Sequence, residues 1–125
     1  VFQLQDIDYR EEYLPLPLSL SDEGGAMGSL STPEHALFNE PNAIESLAGA
    51  ILYDTITEAD PAWRVLAVDG AGQPAIIEAE VGDGLVLVVQ SSLDRYVAGT
   101  VETPEGLSTE TCAGFLINVL HYLTS

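Results

Sequence analysis

The chain has 125 residues, 46% of them hydrophobic, and sets 20 acidic side chains against 3 basic ones for a formal net charge of −17. A surface this negative repels phosphate backbones and anionic headgroups, which excludes nucleic acid and membrane surfaces as expected partners. The single cysteine, Cys112, excludes an intramolecular disulfide framework and a cysteine-rich metal site.

The length suits one domain over residues 1–125, able to bury roughly two-thirds of the surface its unfolded form exposes. The longest apolar run, residues 85–89, is far short of the roughly 20 residues of a membrane-spanning helix, so a soluble chain is expected. Self-repulsion grows at low ionic strength as the Debye length lengthens from about 8 Å to about 30 Å. The charge therefore predicts a salt-adapted cytoplasm or a calcium-containing exterior, with ordinary acidic solubility as the alternative. The chain starts at Val1 without a signal-like segment, which predicts a processed or excised piece of something longer.

In chain order, Phe2 and Leu4 alternate with Gln3 and Gln5 as in a half-buried strand. Pro15 and Pro17 then alternate with leucines, predicting an extended edge segment that lays Leu14, Leu16, Leu18 and Leu20 on the core. Residues 21–31 read as a glycine loop that lacks both the Walker and the dinucleotide patterns; weak divalent-cation binding through Asp22 and Glu23 is the residual alternative. Thr32 suits an N-cap with Pro33 at the first helical position, and a second short helix is predicted over residues 43–47 before a short strand at 50–53.

Residues 63–90 form the frame, three strands joined by glycine turns at 69–72 and 82–84. In the second strand Ile77, Ala79 and Val81 face one way; Ile76, Glu78 and Glu80 face the other, predicted wet toward its end. The third strand, 85–89, is apolar without alternation and is predicted central and covered on both faces. Residues 90–96 leave it as a polar exit. The last element is an amphipathic helix capped by Ser108, with Leu107 stapling onto Cys112 and a stripe of Cys112, Phe115, Leu116, Val119, Leu120 and Leu123. The fold class is therefore α/β or α+β: a small three-layer-type sheet with an antiparallel hairpin within 63–90 and the C-terminal helix packed on it.

Four segments carry a family resemblance. Pro33-Glu34-His35-Ala36-Leu37-Phe38-Asn39 resembles an "HPLF"-type segment with Ala36 in place of proline, and Gln73-Pro74-Ala75-Ile76-Ile77 a strand after "x-P". Gly82-Asp83-Gly84-Leu85-Val86-Leu87-Val88 resembles a "G-x-G-R-V-V-V" turn and strand, and Phe115 to Leu123 a closing "F-x-x-N-x-x-x-W-L" helix. Together, over roughly residues 30 to 125, they resemble the C-terminal half of non-catalytic class I glutamine amidotransferase-like domains, the flavodoxin-like group that includes ThuA-like proteins. The resemblance implies a shortened or excised domain of that kind, with His35 at a structural position. Leu85 replaces the family's basic residue, and Cys112 lies in a helix stripe, not in the nucleophile elbow that catalytic members need.

No constellation predicts catalysis. His35 and His121 are the only histidines, and two remote imidazoles with one buried thiol do not make a tetrahedral metal set. Neither a metal nor a cofactor is expected. The candidate ligand-binding residues are Ser91, Ser92, Asp94 and Arg95, just past the end of the third strand where open α/β sheets bind ligands, together with His35. Arg95 either holds a carboxylate ligand or pairs with Asp94. The expected function is a non-enzymatic binding or assembly module for an unknown small molecule, with a homo-oligomer through a sheet edge as the expected assembly. The alternatives are a fragment of a divergent amidotransferase-like hydrolase and an acidic calcium-dependent surface protein.

Overall fold

The computed structural model describes residues 16–21 and 23–124; the readings of residues 1–15 and of Asp22 lie outside them. Among the described residues the strands are β1 (Leu18–Ser21), β2 (Gly25–Leu30), β3 (Ile51–Leu52), β4 (Thr55–Ala59), β5 (Arg64–Asp69), β6 (Pro74–Val81) and β7 (Gly84–Val89), and the helices are α1 (Leu93–Ala98) and α2 (Thr109–Thr124). One sheet has the order β3-β2-β5-β6-β7; β1 and β4 form a separate two-stranded ribbon. All their pairings are antiparallel. The architecture is α+β, with none of the parallel strands that a flavodoxin-like sheet implies among the described residues.

Side-chain alternation divides the sheet's two faces between two cores. Ile76, Leu87 and Val89 pack with Phe115, Cys112 and Val119 of α2, with Leu93 and Tyr96 of α1 and with Leu37 and Phe38. Ile77, Ala79 and Val88 pack with Leu18 and Ile56 of the ribbon and with Trp63. Helices, five-stranded sheet and ribbon are thus three layers, with β6 burying both of its faces. Pro17 precedes the ribbon at its edge, where a missing N–H costs nothing, and its carbonyl accepts from Asp60 N and Trp63 Nε1.

The frame folds as its turns dictate. The Asp69 carboxylate accepts from Ala71 N and Gln73 N while Gly72 takes φ +85°, and Gly82 takes φ +59° between β6 and β7. Helix α2 starts where its cap requires, with Ser108 Oγ accepting from Thr111 N at 3.1 Å. Leu107 and Cys112 are buried in the same core, as a hydrophobic staple requires.

Six readings of the sequence need correction. Residues 25–30 form a strand, not a loop, because their backbone is taken up on both sides; Met27 N donates to Ala50 O and Gly70 N to Ala26 O. Gly28 is required there, since a Cβ would lie 2.7 Å from Asp69 O. Strand β7 is covered on both faces as expected but ends the strand order instead of centring it, because a meander sets each strand outside the last. Residues 32–34 make a turn closed by His35 N on Thr32 O, and the helical segment is one 3-10 turn, Ala36–Phe38, capped by His35. Residues 43–47 are not helical, because Asn118 holds Asn42 by both its backbone N–H and its carbonyl. In α2, Leu120 is 67% exposed and lies outside the buried stripe, while α1 forms where a polar exit was expected.

Candidate functional site

Glu78 was read as wet and is fully buried instead. It stands on β6 directly opposite Arg64 of β5, on the same face as Ile76, and α2 and the His35 turn lie over that face. A carboxylate excluded from water must be neutralised and hydrogen-bonded, and three donors converge on it. Arg64 Nη2 lies 2.9 Å and His35 Nε2 3.1 Å from Oε1, while the Tyr122 hydroxyl donates to Oε2 at 2.6 Å.

The tautomer of His35 follows from its other nitrogen. Nδ1 accepts the Leu37 N–H at 3.0 Å, so the ring proton sits on Nε2 and points to Glu78. The Tyr122 oxygen lies 3.4 Å from the same Nε2, and the two rings meet edge to face with centroids 5.0 Å apart. The Tyr122 phenol is pushed up to about 12, first by burial and then by its hydrogen bond to Glu78. The cluster is an ionised carboxylate balanced by one guanidinium and supported by two neutral donors.

Each donor comes from a different element: Arg64 from β5, His35 from the turn before the 3-10 segment, Tyr122 from the last turns of α2. One turn earlier, fully buried Asn118 donates to Leu37 O at 3.0 Å and Asn42 O at 2.7 Å and accepts from Asn42 N at 2.9 Å. Glu78 and Asn118 together pin α2 to the sheet and to residues 37–42. Beyond the carboxylate the surface opens into a cavity of about 490 Å³ lined by Arg64, Tyr122, Glu80, Asp83, Leu85 and the glycines of the β6–β7 turn.

Of the residues singled out from the sequence, only His35 joins this cluster. Ser91 and Ser92 are buried at the opposite end of the sheet, where Ser91 Oγ donates to Ile51 O at 2.9 Å. Ser92 occupies the N-cap position of α1 without a side-chain cap bond. Asp94 is exposed in the first turn of α1, and the Arg95 guanidinium lies over the Tyr53 ring, 5.4 Å from its centroid. The space there is about 10 Å³, room for one water and no ligand. The rule that placed a site at this end belongs to parallel sheets, and this sheet is antiparallel.

Arg64, Glu78 and Tyr122 escaped the sequence reading. The available signal was a lone acid inside the apolar run Ala75-Ile76-Ile77-Glu78-Ala79, in a frame whose one cation is Arg64. Among the described residues no three His, Cys, Asp or Glu side chains gather as a metal site, and no helix is long and apolar enough to cross a membrane. Cys112 is fully buried, and burial pushes its thiol up from its ordinary value. No protein-family model, curated protein or solved structure matches the chain.

Proposed function

We propose that the chain is a non-enzymatic binding or assembly module. The observation that carries this reading is the burial and engagement of Glu78, whose side chain has no surface open to a substrate. Its two oxygens take three donors, both nitrogens of His35 are engaged, and the Tyr122 proton is committed to the carboxylate. A general base needs a free lone pair aimed at substrate, and a nucleophile needs such a base beside it. The cluster supplies neither, and the one thiol is sealed in the core. As part of the same proposal, the segments around His35, Pro74 and Asn118 that carry the resemblance to ThuA-like domains supply the turn, strand and helix that meet around Glu78, here on an antiparallel sheet.

The test is an assay for ammonia release from glutamine and for ester hydrolysis, run on the wild type and on Glu78→Gln. Rates equal to buffer are expected for both. Turnover that disappears in a folded Glu78→Gln protein would overturn the reading in favour of a divergent hydrolase. Salt adaptation is a separate part of the proposal, supported by the charge of −17. It requires a melting temperature that rises from low to molar salt, and an unchanged one removes it; a rise with millimolar calcium at fixed ionic strength would favour the calcium-dependent alternative.

A further inference from the structure

We infer that the cavity beside Arg64 binds a small zwitterion of the α-amino acid class, carboxylate to Arg64 and ammonium to Glu80 and Asp83. The inference rests on the reading of the chain as a binding module and names the ligand chemistry of that site. Arg64 is one of three cations in the chain, and its side chain is 59% exposed although its Nη2 is fixed on a fully buried carboxylate. That contact engages one of the two terminal nitrogens. A guanidinium has five N–H donors in a rigid fork, so the anchored group still presents donors to the cavity it lines. Holding the fork in place beforehand removes much of the ordering cost that a free surface arginine pays on binding.

The other walls decide what kind of carboxylate fits. Glu80 and Asp83 line the same cavity, and with a chain charge of −17 they repel a simple anion. An ammonium group on the same ligand turns both into partners. Leu85 and the ring of Tyr122 add apolar wall, with the Tyr122 hydroxyl already donated to Glu78. A neutral molecule with both charges and a small apolar body satisfies every wall, and about 490 Å³ of open space suits a ligand of that size.

The experiment is a titration of the isotope-labelled chain with L-leucine, N-acetylleucine and leucinamide, followed by backbone amide NMR. Leucine is expected to give saturable shifts at Arg64, at residues 80–85 and at Tyr122. N-acetylleucine and leucinamide should each bind at least about tenfold more weakly, a loss of about 1.4 kcal/mol for one charge. Arg64→Gln should weaken leucine by about tenfold or more. Because that change also loosens Glu78, the surface variant Glu80→Gln/Asp83→Asn provides a second arm and should weaken leucine while leaving the melting temperature in place. Absence of shifts up to tens of millimolar leucine, shifts confined to another surface, or leucinamide binding as well as leucine would each overturn the assignment. Those outcomes sink the ligand and not the module, which fails only on turnover dependent on Glu78.

Discussion

The two ends of the five-stranded sheet both carry an arginine, hydroxyl groups and acids, yet they use them in opposite ways. At the β6–β7 turn end, Arg64 and Tyr122 converge on a buried carboxylate and line an open cavity. At the Ser91 end, the hydroxyl meets a backbone carbonyl, the arginine covers a tyrosine ring, and the space left holds about one water. The difference is how a buried charge is satisfied. Asp69, also buried, takes the backbone N–H groups of its own turn, Ala71 N and Gln73 N, whereas Glu78 in mid-strand takes side-chain donors from three separate elements and so fixes those side chains around it.

The sharpest way to break this contrast is Glu78→Ala. It leaves the Tyr122 hydroxyl and the His35 N–H without their shared acceptor and is expected to cost about 3 kcal/mol, the lower end for breaking a buried ion pair because Arg64 can turn to water. Urea unfolding measures this, and a loss below about 1 kcal/mol would mean that the carboxylate does not organise that end.

Tyr122→Phe comes next, at about 1.5–3 kcal/mol for a hydrogen bond to an ionised acceptor. It carries a pH signature as well. The native phenol titrates at about 12 against an ordinary 10, so the folded state holds this proton more tightly. Its contribution is whole below pH 10 and is lost as pH rises from 10 through about 12. Stability profiles of wild type and Tyr122→Phe should therefore converge over that window; parallel profiles would show that the phenol does not titrate differently on folding.

The opposite end should be softer. Ser91→Ala is expected to cost about 1 kcal/mol through the lost bond to Ile51 O, and Arg95→Ala no more than about 1 kcal/mol for a cation over an exposed ring. If either exceeded the Glu78 variant, the ranking of the two ends would be reversed. Cys112 offers a control on the core between them. Being fully buried with its thiol pushed up, it should react with a thiol reagent at pH 8 only after unfolding.

How far the sequence carries follows from the range of the forces involved. The β5–β6–β7 meander, the Asp69 and Gly82 turns and the start of α2 at Ser108 were all legible, because side-chain period, turn residues and caps act within a few positions of the chain. His35 was legible as a candidate but not its role, which depends on Glu78 43 residues away and Tyr122 87 residues away. The strand made by the glycine-rich residues 25–30 was hidden for the same reason, since only the approach of Asp69 to Gly28 explains a glycine there. The one-face alternation in β6 places Glu78 and Ile76 on the same side. Whether that side met water or α2 was decided by packing across the chain, and the layer that covered Glu78 turned an apparent surface acid into the centre of the candidate site.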